Sequence, residues 1–266
     1  MHATRWERLL ITGAAGRLGR QLRTQLRDLA RVTRSTDLRG LDAAADGEET
    51  MAADLADFSA VQALVRDVDV ILHFGAVMPQ SPWEDVLQAN IIGSYHLFEA
   101  ARQAGVKRII FASSHHAIGM YERTQQLDCD APPRPGNLYG LSKAFGENLA
   151  RMYFDKHGME VACLRIGSCF EQPGDERMLA TWLSHDDLLQ LCRRCLQAPR
   201  IGYTVVYGVS DNSRRWWSND QADFLGFEPR DSADRFAAQL PAACATVCAD
   251  DRWAHLQGGR FTALIP

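Results

Sequence analysis

The sequence has no apolar run long enough to cross a bilayer, which takes roughly 18 or more consecutive apolar residues. Its opening residues, MHATRWERLLITGAAG, offer only the short run LLI before a glycine-rich turn, too little for the apolar core of a secretory signal. A soluble, cytoplasmic chain without a membrane partner is the expectation. Net charge is scarce as well: 29 Lys and Arg against 33 Asp and Glu leave −4. No broad field therefore draws the chain toward nucleic acid or anionic lipid. Internal repeats and low-complexity tracts are absent, which sets aside repeat arrays and biased linkers.

Cysteine is present but not organised. The seven cysteines are odd in number and scattered, which fits a reducing compartment and not a disulfide framework. Cys192-x-x-Cys195 and Cys244-x-x-x-Cys248 are spaced as a metal or redox pair would be. In SHDDLLQLCRRCLQ, however, Leu188, Cys192 and Cys195 follow a helical stripe, and Ser184 and Asp187 sit as N-cap and N3 at its start. Core packing is expected for these thiols, and no metal site.

With 46% hydrophobic and 23% charged residues, the 266-residue chain can bury a substantial core. Over residues 1–170 short β-rich runs alternate with helical segments: RLLITG, RLGRQLRTQLRDLA, VTRSTDL, FSAVQALVRDV, DVILHFGAV, WEDVLQANIIGSYHLFEAARQAG, RIIFASS and EVACLRIGS. Such alternation predicts an α/β fold, a Rossmann-like doubly wound parallel sheet. VILHF and RIIFA are apolar throughout, as strands covered on both faces should be. Beyond residue 170 the rhythm changes, with YTVVYGVS as one more strand and SNDQADFLGFEPRDSADRFAAQL as two short helices. Residues 171–266 are expected as a small substrate-covering lobe on the same single domain, ending in LQGGRFTALIP as a surface tail.

LLITGAAGRLGRQL places Gly13, Gly16 and Gly19 between the first strand and the first helix. A pyrophosphate needs close approach to backbone N–H groups at a helix N-terminus, where side chains would block it. Asp37, at the end of the second strand, can accept both adenosine ribose hydroxyls and would repel a 2′-phosphate, favouring NAD over NADP. Arg17, Arg34 and Arg39 lie close enough to soften that preference. Asp54 and Leu55 follow the short strand ETMAADL and are candidates to touch the adenine, with a helix N-cap as the alternative for Asp54. Phe74, Gly75 and Ala76 end the fourth strand, where a flat cofactor can lie against backbone. Leu18 and Ile166 complete the candidate cofactor contacts.

Tyr139 and Lys143 are one turn apart on a helix and share a face. An ammonium at ~4 Å and an effective dielectric of ~20 contributes about 4 kcal/mol, enough to bring a phenol near neutrality as a general base. Ser114, at the end of the preceding strand, would orient the reacting oxygen, and Lys143 could also hold the nicotinamide ribose.

This combination resembles the extended short-chain dehydrogenase/reductase superfamily. FASSHHAIGMY, YGLSKAFGENLARMYFDKHG, LRIGSC, RMLATWLSHDD, WWSND, LGFEPRD and QGGRF look more specifically like the uronate dehydrogenase family. The resemblance implies NAD-dependent oxidation of D-glucuronate or D-galacturonate to the aldarolactone. It implies Tyr139, Lys143 and Ser114 as the catalytic set with Asn90 in support, and Arg177 as the clamp on the sugar carboxylate. Ser168 and His116 would line the sugar site. Two residues depart from the family pattern: His115 stands where asparagine is expected, and Met78 where serine is expected. Both bear on the sugar and not on the redox chemistry.

A nucleotide-sugar epimerase or dehydratase is the alternative, though it usually needs a larger C-terminal domain. A cofactor-sensing protein without turnover is a second, but it has no use for a proton-transfer set. A homo-oligomer, dimer or higher, is expected by analogy with relatives.

Overall fold

The computed structural model describes residues 6–240 and 253–264. Strand β1 (Trp6–Thr12) carries the apolar run Leu9, Leu10 and Ile11 with no solvent exposure. Helix α1 (Arg17–Gln25) follows the glycine turn, β2 (Ala30–Thr36) returns beside β1, and β3 (Glu48–Thr50) lies at the edge. Next come α2 (Phe58–Leu64), β4 (Val70–His73), α3 (Trp83–Asp85), α4 (Gly93–Ala104), β5 (Arg108–Ser114), α5 (Leu138–His157) and β6 (Glu160–Ile166). A two-residue strand pair, β7 (Ser168–Cys169) and β8 (Trp182–Leu183), brackets α6 (Met178–Thr181). Helix α7 (His185–Gln197) and β9 (Tyr203–Gly208) follow.

The main sheet has seven strands in the order β3-β2-β1-β4-β5-β6-β9, and each pairing is parallel. Successive side chains on a strand point to opposite faces, and the cores follow that alternation. Leu9, Ile11, Val70, Leu72 and Ile110 belong to one apolar cluster, and Leu10, Ile71, Ile109 and Phe111 to another on the opposite face. Burying one such side chain contributes about 2 kcal/mol, so the continuous apolar strands drive the doubly wound arrangement. β9, from the part of the chain expected as a lobe, hydrogen-bonds to β6 in this sheet.

Local chemistry sets the element ends. Asn137 caps α5, its Oδ1 accepting from Gly140 N at 2.7 Å, and Gly158 closes that helix in the left-handed region. Ser184 caps α7 by accepting from Asp187 N. The Asp187 carboxylate does not reach back in a capping box but accepts from Ser210 Oγ, Arg230 N and Asp231 N. Cys192 and Cys195 are fully buried on α7, as the stripe predicted, while Cys244 and Cys248 lie outside the described residues. Among the described residues no helix is long and apolar enough to cross a membrane.

One expectation fails. The segment around QGGRF is not a surface tail: Leu256 and Gln257 are buried, and a short helical turn, Gly259–Ala263, packs beside the site. Hydrogen bonds to distant residues help dock it, among them Gln257 N to Tyr121 O and Asn137 Nδ2 to Phe261 O, a signal that hydrophobic periodicity does not carry.

Candidate active site

Parallel strands end at one edge of the sheet, and there a cleft of about 1090 Å³ runs from the glycine turn to Arg177. Ligands bind at the carboxyl ends of strands in such sheets. Gly13 has φ +71°, and a Cβ there would stand 2.6 Å from the Phe74 carbonyl carbon. A Cβ on Gly19 would lie 2.0 Å from Gly13 O, so glycine lets α1 close on the turn. Asp37 accepts from Ala15 N at 3.0 Å and from Arg39 N at 3.0 Å, which fixes the turn against the end of β2. Arg39 Nε also donates to this carboxylate at 3.3 Å, which leaves about one acceptor site for a ribose hydroxyl, and Asp37 itself lies behind the residues that line the cleft. A bare glycine turn at a helix N-terminus with an acid behind it fits a dinucleotide.

Behind this turn lies a buried polar relay. Gly75 N donates to Thr12 Oγ1 at 3.0 Å, and Thr12 faces His73 Nδ1 at 2.8 Å. His73 Nε2 lies 3.3 Å from Ser94 Oγ, which donates to Asn90 O. Burial pushes His73 down to about 3, with Lys143 adding to the shift, so the ring is neutral and accepts from Thr12 while donating to Ser94. Asn90 lies in a π-helical stretch, Val86–Ile92, a form often found at functional sites. Its Oδ1 accepts from Val77 N at 2.8 Å and its Nδ2 donates to Ser142 Oγ at 3.0 Å. Asn90 thus ties the end of β4 to α5, consistent with support rather than contact.

Helix α5 presents Tyr139 and Lys143 to the cleft beside Ser114 at the end of β5. A Cβ on Gly146 would collide with the Phe111 ring at 2.2 Å, so this glycine seats α5 on β5. Beneath, Glu147 forms a buried ion pair with Arg165 at 2.9 Å and accepts from Ser113 Oγ at 2.6 Å, joining α5, β6 and β5. Lys143 Nζ lies 5.4 Å from the Tyr139 ring centroid. Burial pushes Tyr139 up to about 12, opposed by its hydrogen bond with Ser114. It also lowers Lys143 to about 8. Burial thus disfavours the charged form of each group.

At the far end of the cleft lies a buried cation. Arg177 is 9% exposed, and among the described residues no carboxylate lies within ion-pairing distance of it. It donates to Gln257 O at 3.3 Å, to Ser168 Oγ at 3.3 Å and toward His115 Nε2 at 3.4 Å. Its pKa is lowered by burial and by nearby Arg123 and Arg260, with Asp175 opposing. His115 Nδ1 faces Ile166 O at 3.0 Å, so that nitrogen carries the proton and Nε2 is a bare acceptor. Burial, then Arg177, lowers His115 to about 3. His116 sits edge-on to Tyr139 and Phe261, and its buried Nδ1 has no partner.

The structure therefore brings Gly13, Gly16, Arg17, Leu18, Gly19, Phe74, Ala76, Met78, Ser114, His115, His116, Tyr139, Lys143, Ile166, Ser168 and Arg177 to one cleft wall. Gly75 and Leu55 sit behind it, a Cβ on Gly75 lying 3.3 Å from Leu55. Asp54 is neither on the wall nor a helix cap: it accepts from Ala56 N, and Asp57 caps α2. Met78 is 66% exposed at the rim. Unforeseen were Arg123, Phe170 and Asp175, together with Gly259, Arg260 and Phe261 from the C-terminal segment.

Residues 9–185 match the NAD dependent epimerase/dehydratase family. Uronate dehydrogenase of Pseudomonas putida is 49% identical over 100% of this chain and 99% of that protein. The crystal structure of a uronate dehydrogenase variant from Agrobacterium tumefaciens complexed with NAD superposes with a TM-score of 0.93 at 47% identity, covering 98% of each chain. That of glucuronic acid dehydrogenase from Chromohalobacter salexigens gives a TM-score of 0.93 at 49% identity over 97% of each.

Proposed function

Since the chain belongs to the NAD dependent epimerase/dehydratase family and, within it, to the uronate dehydrogenases, we propose that it oxidises a hexuronate at C1 to the aldarolactone. D-glucuronate and D-galacturonate are the substrates, and the enzyme is an NAD-dependent oxidoreductase. The observation that carries this reading is Arg177, a cation withdrawn from water whose hydrogen-bond partners among the described residues are all neutral, in the same cleft as Ser114 and Tyr139. Burying a charge without a partner is costly, so such a site favours an anionic ligand, and a planar guanidinium suits a carboxylate.

Bound NAD supplies the acceptor for the hydride that leaves C1. Gly13, Gly16 and Gly19 leave room for its pyrophosphate, and Asp37 for its adenosine ribose. Arg177, steadied by Ser168, holds the sugar carboxylate, which orients the ring. Ser114 and Tyr139 flank the C1 hydroxyl, and Tyr139 removes its proton. Lys143 lies on the same face of α5 as Tyr139, its Nζ 5.4 Å from the ring centroid, and an ammonium beside a phenol favours the ionised form. His116 lines the same cleft and stands edge-on to Tyr139, so its ring shapes the sugar site.

The test compares the parent with Arg177→Ala by absorbance of the reduced cofactor, over glucuronate, galacturonate and neutral aldoses. The variant is expected to lose about 100-fold or more in kcat/KM for uronates, the scale of a truncated buried charge contact, with NADH affinity unchanged. Equal losses on uronates and neutral sugars would remove the clamp from the account.

A further inference from the structure

Arg177 has three neighbours within hydrogen-bonding reach, from three separate parts of the chain: His115 after β5, Ser168 on β7 and Gln257 in the C-terminal segment. All are uncharged acceptors at 3.3–3.4 Å, longer than the ~2.8 Å of a charge-assisted bond. The guanidinium is directed without being neutralised. Of the three, the imidazole is also anchored on the side away from Arg177. Its Nδ1–H is pinned to Ile166 O at 3.0 Å. Its ring lies between His116, with centroids 4.2 Å apart, and Trp217, at 5.7 Å. Trp217 in turn stacks on Tyr207 at 5.2 Å, and its Nε1 donates to the Gln257 side chain at 2.8 Å. The ring that faces Arg177 and the residue whose carbonyl accepts from it thus share one buried stack.

We propose that His115 is a positioning residue for the carboxylate clamp, presenting a bare Nε2 that fixes the plane of the Arg177 guanidinium for a hexuronate carboxylate. A carboxylate at this position would pair with Arg177 and compete with the substrate. A hydrocarbon would leave Nη1 with Gln257 O alone. The inference rests on the reading of Arg177 given above and adds what holds that arginine in place.

The decisive variants are His115→Phe, which keeps an aromatic ring and removes the acceptor, and His115→Gln, which restores an acceptor near the position of Nε2. In the phenylalanine variant the KM for hexuronate should rise roughly tenfold, the worth of one positioning hydrogen bond to a charged group. Both kcat and the KM for NAD should stay within about twofold, and glutamine should recover most of the loss. A KM for hexuronate that is unchanged or lower overturns the proposal, since a lower value means that the ring competes with the substrate. A parallel shift in kcat and in the KM for NAD also overturns it, by showing a general disturbance of the fold. If the phenylalanine variant fails to fold, His115→Leu replaces it in the same comparison. A readout without substrate separates this proposal from the one beneath it: the NMR order parameter of the Arg177 Nε–H should fall in the acceptor-free variant and recover in His115→Gln. Unchanged order refutes the positioning role even if uronates are turned over. A parent inert toward every hexuronate, with the order parameter shifting as expected, refutes the substrate and leaves the positioning intact.

Discussion

At the residue scale, the tension in the site lies between burial and charge on Tyr139 and Lys143. Burial holds Tyr139 at about 12 and Lys143 at about 8. A base with a raised pKa is protonated at low pH, so activity should fall as pH drops. An ammonium with a lowered pKa is lost as pH rises past about 8, and with it the support for the phenolate. A bell-shaped profile of kcat/KM on the alkaline side is expected, whose apparent values belong to the pair and not to either group. Tyr139→Phe should abolish its acidic limb together with most of the rate. Lys143→Met should behave oddly. The folded-state pKa of Lys143 lies below its usual 10.5, so its charge destabilises the fold below about pH 8, and the penalty is relieved as pH rises from there. Removing the charge should therefore stabilise the protein at neutral pH, by at most about 3 kcal/mol, while turnover falls by about 100-fold. Thermal unfolding and a rate assay on the same sample check both signs.

At the element scale, glycine decides how closely α1 meets β1. Gly19→Ala would set a Cβ 2.0 Å from Gly13 O, and α1 must shift to admit it. A loss of about 3 kcal/mol in denaturant unfolding is expected, with NADH affinity weakened by tenfold or more on fluorescence titration. Gly105→Ala, where nothing lies within 4 Å and φ is +75°, should cost only about 1 kcal/mol and leave NADH binding alone. These elements were legible in advance because turn chemistry and apolar runs are local signals. That Tyr139, Lys143 and Ser114 share one cleft was legible through spacing and order. The cap alternative for Asp54 fails because two aspartates lie three residues apart, and only the backbone decides that Asp57 caps α2. Residues 256–261 were illegible for another reason: they dock through Gln257 and the Asn137–Phe261 bond, not through an apolar stripe.

At the scale of the whole molecule, the two ends of the cleft are built from different stretches of chain. Gln257 donates to Glu122 O and Gln125 O through its Nε2, accepts from Trp217, and offers its carbonyl to Arg177. Gln257→Ala should raise the KM for hexuronate several-fold while leaving NADH affinity within twofold, a split that calorimetric titration of each ligand can resolve. Polypeptides grow from their amino end. A nascent chain therefore carries the glycine turn, Tyr139 and Lys143 before Gln257, whose carbonyl accepts from Arg177, has been added. The sugar end of the cleft is thus the last part of the site that synthesis can complete.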